Sequence, residues 1–171
     1  MSNAISPTED FSGASAIEKI KEIAEASNTC FFTTKVRGDS QSRPMALQGV
    51  DENGSLWFLS DVSSKKNTAI KADPYVELYF INNSKYEYLF IKGKATSSQD
   101  RALIEKYWTN FANAWFDGPD DPNVSVIEVK AEDGYYYETK ENKIIAMSKM
   151  LFAAVTRKPI EDGGVEGRLE V

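Results

Sequence analysis

"RPMALQGVDENGSLWFLSDVSSKKNTAI", residues 43–70, changes pattern twice and so sets the architecture. Residues 43–50 read as a strand, with Pro44 near its start, where a missing N–H costs least. "DENG", residues 51–54, is a turn signal, and residues 55–60 are again strand-like. The two segments predict a hairpin. The chain then drops through Asp61, Ser63 and Ser64, meets Lys65 and Lys66, and turns helical until Asp73-Pro74. Two lysines at a helix start oppose its partial positive charge. That placement makes sense if something negative sits there.

A tight hairpin brings the start of its first strand beside the end of its second. Arg43 is therefore expected near residues 59–61, next to the lysine helix. A guanidinium, two ammonium groups, the hydroxyls of Ser60, Ser63 and Ser64 and the first helix amides would then converge, a donor set suited to phosphate. The same run is also compatible with a solvated helix end, and Arg43 with an exposed strand-end arginine.

Outward from this segment, Ala16, Ile17, Ile20, Ile23 and Ala24 recur at helical spacing over residues 15–26, with Asn28 as the stop. Residues 29–36 form a strand, and "RGDSQS", residues 37–42, reads as a loop. Residues 75–82 alternate, and residues 88–97 form a long strand. Ser97-x-x-Asp100 resembles a capping box opening a helix with Leu103, Ile104, Tyr107, Trp108, Phe111, Ala112 and Trp115 on one side. "VSVIEVKA" and "YYYETK" read as two strands joined by "EDG", residues 132–134. Residues 143–158 predict a helix. Residues 1–14 are expected to be a flexible segment, residues 15–158 one domain and residues 159–171 a mobile tail. About six or seven strands in mostly consecutive antiparallel order make a mainly β protein, a closed or nearly closed β-barrel with peripheral helices.

Composition removes whole classes of chemistry. The 171 residues contain no histidine, which excludes Ser–His triads, HExxH metal sites and histidine-held haem. The single cysteine, Cys30, excludes an intrachain disulfide and Cys-rich zinc sites, and points to a reducing, cytoplasmic setting. Asp117, Asp120 and Asp121, set among Gly118, Pro119 and Pro122, read as an exposed loop, so no metal is expected. A net charge of -6 argues against broad binding to nucleic acid or an anionic membrane. The longest apolar segment, residues 144–155, is broken by Ser148 and Lys149 and falls short of the about 20 residues a membrane span needs.

Residues 43–70 resemble the split-barrel flavin-binding proteins related to pyridoxamine 5'-phosphate oxidase, above all the general stress protein 26 branch. The Arg-Pro-Met strand, the D-x-x-G turn, the W-F-L-S strand and the Ser-Lys-Lys helix start carry the likeness. "YLFIKGKA", "NAWFDGPDDPNVSVIEV" and "YYYETKENKIIAMSKMLFAAVTRK" extend it over residues 16–158. The resemblance implies an antiparallel FMN-binding split barrel. Arg43 and Lys66 would bind the FMN phosphate, assisted by Lys65, Ser64 and Ser60. The backbone of Met45, Ala46, Leu47 and Gln48 would run alongside the isoalloxazine ring, with Leu59 nearby and Pro44 also among the cofactor-binding residues. It also implies a homodimer with flavin at the interface, Trp115 and Tyr137 being candidates for the partner-side wall. The family often has tryptophan where Tyr137 stands. True pyridoxamine phosphate oxidases carry an Arg-x-His-x-Arg segment near the C-terminus, which this chain lacks, so that substrate is not expected. No catalytic residue is readable. The expected function is an FMN-binding oxidoreductase, stress-related and reduced by a nicotinamide cofactor or by an unidentified donor. The alternatives are a non-catalytic flavin store or sensor and a deazaflavin-dependent reductase.

Overall fold

The computed structural model describes residues 7–140, 151 and 164–171. After the short strand β1 (Phe11–Ser12), helix α1 (Gly13–Ser27) buries Ala16, Ile20, Ile23 and Ala24, the face its periodicity predicts. Asn28 ends it in the left-handed conformation, φ 57°, with its N–H donated to the Ala24 carbonyl. Strands β2 (Thr29–Val36) and β3 (Asp39–Val50) follow, then β4 (Leu56–Asp61), helix α2 (Lys65–Ala72), β5 (Tyr75–Asn82), β6 (Glu87–Ser98), helix α3 (Arg101–Lys106), β7 (Val124–Thr139) and β8 (Gly164–Glu170).

Strands β7, β4, β3, β2, β5 and β6 pair in that order, and β6 pairs back with β7, closing an antiparallel ring. The expected barrel is therefore observed. Phe32 and Phe58 meet edge to face inside it at 5.3 Å, among Leu56, Leu78, Phe80, Leu89, Ile91 and Ile127. Ile20 and Ile23 of α1 join the same core. Each such side chain contributes about 1.5–3 kcal/mol by leaving water.

Four local expectations are corrected. Residues 37–42 are not a loop: Val36 pairs with Asp39 across Arg37 and Gly38, both at positive φ (51° and 88°), the geometry of a two-residue hairpin turn. The turn hid behind the polar alternation of Ser40 and Ser42. "EDG" does not turn either. The long strand β6 templates β7 straight through it, with one register shift at Lys92/Gly93 where a methyl on Gly93 would strike the Lys130 carbonyl. The aromatic helix stops early: Asp100, not Ser97, caps α3 by accepting from the Leu103 N–H at 3.1 Å, and a separate 3-10 turn covers Asn110–Ala114. Tyr107 leaves the helix to stack on Trp57, with centroids 4.5 Å apart.

The last correction concerns the ends. The second half of β7 runs beyond β4, and its free edge is taken by β8, where a mobile tail was expected. β1 lies parallel to β8, and the Tyr136 hydroxyl donates to the Glu9 carbonyl at 2.8 Å, so residues 8–12 are held rather than flexible. The helix expected at 143–158 lies outside the described residues apart from Leu151.

Candidate functional site

The hairpin of β3 and β4 is paired only near its turn. Leu47 faces Phe58, Gly49 faces Trp57 and Val50 faces Leu56, with a bulge between Leu47 and Gly49. Beyond Leu47 the strands diverge. Leu47 donates its N–H to the Asn28 carbonyl at 2.9 Å, which makes Ala46 and Thr29 a non-hydrogen-bonded pair. By alternation, Met45 and Arg43 bond to β2, while the polar groups of Ala46 and Pro44 face the β4 side. Pro44 thus costs the β2–β3 ladder nothing. The Ala46 carbonyl accepts from Gln48 Nε2 at 3.1 Å in place of a strand partner. Gln48 Oε1 in turn accepts from Thr109 Oγ1 at 2.9 Å.

Two cations stand at this open end. Lys66 lies on the inner face of α2, only 8% exposed, and its ammonium donates to the hydroxyls of Ser60 and, at 3.3 Å, Ser64. Arg43 donates to Thr34 Oγ1 at 2.9 Å. Burial, then the nearby Arg43 cation, pushes Lys66 down to about 8, with Asp61 acting weakly the other way. Burial also lowers Arg43. Among the described residues neither cation joins an ion pair. Two like charges, partly desolvated and in no ion pair among the described residues, are unfavourable by themselves. An anion with several acceptor oxygens would relieve both. The first amides of α2 lack intrahelical acceptors and add to the same field.

The fold reproduces the architecture of a family defined on other proteins. Residues 15–161 match the family described as pyridoxamine 5'-phosphate oxidase like. This chain belongs to the pyridoxamine 5'-phosphate oxidase like family. The protein bli-3 of Neurospora crassa is 27% identical over 157 residues, which cover 83% of this chain and 75% of bli-3. The crystal structure of general stress protein 26 from Bacillus anthracis superimposes with a TM-score of 0.64 at 28% identity, over 70% of this chain and 92% of that one. The general stress FMN/FAD binding protein of Xanthomonas citri shares the fold with a TM-score of 0.65 at 18% identity, over 76% and 93%.

Within this family member, the structure gathers some of the expected site residues and separates others. Arg43, Ser60, Ser64 and Lys66 come together. Met45, Ala46, Leu47 and Gln48 line the diverging edge of β3 and are half-buried, as is Leu59. Pro44 is exposed on the same strand. Lys65 points outward and is exposed. Ser63 is spent on Asp61, whose Oδ1 accepts from its N–H at 2.7 Å and its hydroxyl at 2.6 Å. Tyr137 sits opposite Tyr88, at the far end of β7 from Val124, the partner of Asp61. Trp115 is 64% exposed, beyond the 3-10 turn whose Thr109 reaches Gln48. Neither of these two meets the cations within one chain.

Sequence reasoning missed Thr34, Asn67, Thr109 and Ser125. Asn67 donates through Nδ2 to the Asp61 carbonyl at 2.7 Å and to Ser125 Oγ at 2.8 Å, and Ser125 Oγ donates to the Ser60 carbonyl at 2.9 Å. Single polar residues inside strands and helices carry no local signal of such a role. Cys30 is buried and pushed up to about 12 by that burial, an inert thiol.

Proposed function

We propose that this chain binds FMN and works as a small flavin-dependent oxidoreductase. The observation that carries the reading is the partly desolvated Lys66–Arg43 pair, in no ion pair among the described residues, beside two hydroxyls and a helix start. A phosphate monoester dianion fits that donor set, and the Xanthomonas citri relative is named an FMN/FAD binding protein. Lys66, Arg43, Ser60 and Ser64 would hold the phosphate, and the β3 edge at Met45, Ala46, Leu47 and Gln48 would face the ring. The bound isoalloxazine would supply the electron transfer, drawn from a nicotinamide donor. The protein supplies position and exclusion of water.

A homodimer completes this reading. Phe31, Tyr79, Phe90 and Tyr135 lie in one cross-strand row on the outside of the barrel, with Ile81, Tyr88 and Tyr137 in the next. Phe31 is 51% exposed and Ile81 49%, and Phe31 also faces Pro44 of the candidate edge. An apolar face of this width beside a ligand edge suits a second copy, whose Tyr137 and Trp115 would wall the site. The inert Cys30 suits a reducing cytoplasm.

The visible absorbance spectrum of the purified protein, with mass analysis of whatever denaturation releases, tests the cofactor. A flavin spectrum with the mass of FMN is expected, and a deazaflavin or no chromophore overturns the reading. Stopped-flow mixing with NADH or NADPH tests the reaction. Bleaching within seconds is expected of the oxidoreductase, and none over minutes leaves a flavin store or sensor.

A further inference from the structure

The cations need a rigid frame, because Arg43 and Lys66 repel one another and the strand that would normally brace this point is missing. β4 keeps its ladder to β7 at Ser60 and Asp61, but β3 has already diverged on the other side. The turn from β4 into α2 has its own local ties, from the Ser64 N–H to the Asp61 carbonyl at 3.1 Å and from Ser63 to Asp61 Oδ1, and one buried side chain anchors it to both α2 and β7. Asn67, 1% exposed, ties the Asp61 carbonyl and Ser125 Oγ to α2, and Ser125 passes the restraint to the Ser60 carbonyl. The Asn67 backbone N–H also donates to Ser64 Oγ at 3.4 Å. The Asp61 carbonyl directly, and the Ser60 carbonyl through Ser125, are thus tied to α2 by the Asn67 side chain, next to the hydroxyls that hold the Lys66 ammonium. Its Oδ1 is buried without a partner among the described residues. A residue that leaves an acceptor orphaned in order to use both its amide protons is placed for those donations, since the orphan itself is destabilising.

We propose that Asn67, acting with Ser125, is the positioning residue that pre-organises the anion cradle and so sets the preference for a phosphorylated over an unphosphorylated flavin. The inference rests on the phosphate reading of Lys66 and Arg43. Asn67 itself touches no ligand; it fixes the groups that do. Without it the turn would have to be ordered when phosphate binds, and the affinity for the phosphate group would fall while ring binding along β3 would not.

The test is the ratio of FMN to riboflavin affinity, measured by fluorescence quenching on the full-length protein stripped of its flavin. Riboflavin lacks only the phosphate. The wild type is expected to prefer FMN. Asn67→Leu, which keeps the volume and loses both donors, is expected to cut that preference about tenfold with riboflavin affinity unchanged. Ser125→Ala, a smaller change, is expected to cut it about threefold and carries the test alone if the first variant does not fold. A parallel fall in both affinities makes the pair merely structural and overturns the proposal, as does an unchanged ratio. A wild type that binds the two flavins alike fails before any variant is made. It removes the phosphate site itself.

Discussion

The two sides of this barrel are built from the same kind of hairpin and end differently. Along β5 and β6 every residue from Tyr75 opposite Lys94 to Asn82 opposite Glu87 is paired. Along β3 and β4 pairing stops at Leu47, and the remaining length of both strands opens onto two desolvated cations. The paired side closes on the core, whereas the open side leaves part of β3 outside any pairing with β4. Ladder hydrogen bonds and apolar burial stabilise the first. The second concentrates like charges that burial makes unfavourable.

The comparison breaks first if charge removal at the open end damages the fold. Arg43→Ala with Lys66→Ala is expected to weaken FMN binding by about 3–6 kcal/mol, from two charge-assisted contacts of about 1.5–3 kcal/mol each, with the thermal midpoint held or raised. Flavin titration and thermal melts of the double variant check both halves. On the closed side the order reverses: Phe58→Ala, fully buried against Phe32, is expected to cost about 3–5 kcal/mol in urea unfolding. Gly93→Ala, which drives a methyl into the Lys130 carbonyl at the β6–β7 bulge, is expected to cost about 1–3 kcal/mol by the same measurement.

Proton linkage sharpens the contrast. Lys66 is held near 8 in the flavin-free fold against an ordinary 10.5, so between those values the unfolded chain binds more protons. Its contribution to stability therefore rises with pH through that window. Urea midpoints of the wild type minus those of Lys66→Met, taken from pH 7 to 10, are expected to show this rise. FMN affinity is expected to move the other way, falling by up to about tenfold per pH unit above pH 8, because the phosphate needs the charged ammonium. The smallest effect is expected at Lys65. Exposed and turned away, it should change FMN affinity by less than about 0.5 kcal/mol on replacement by alanine, measured by the same titration.

Periodicity and turn chemistry made most of the barrel legible. The Ala16, Ile20, Ile23 and Ala24 face, the "DENG" turn, the short helix that ends at Asp73-Pro74 and the alternation of β5 all appear where local pattern puts them. Local pattern failed where a distant strand overrode it. "EDG" has turn composition, yet β6 holds it extended, and "GVEGRLE" has the look of a tail, yet the free edge of β7 recruits it. At the candidate site, the helix-start lysines stood out because cations there oppose the helix's partial charge, and the expected hairpin drew Arg43 toward them. Asn67 and Ser125 were not, since a buried amide or hydroxyl gains its meaning only from the carbonyl it meets.

By itself the chain's order of residues determined the β-rich class, the antiparallel hairpins and the cationic character of one hairpin end, because side-chain alternation and turn preference act over a few neighbours. Tertiary structure alone decided that β6 and β7 close the ring, that β3 and β4 part at Leu47, and that Lys66 faces inward while Lys65 faces water. Those outcomes depend on ladder hydrogen bonds and desolvation between residues far apart in the chain, which no local pattern encodes.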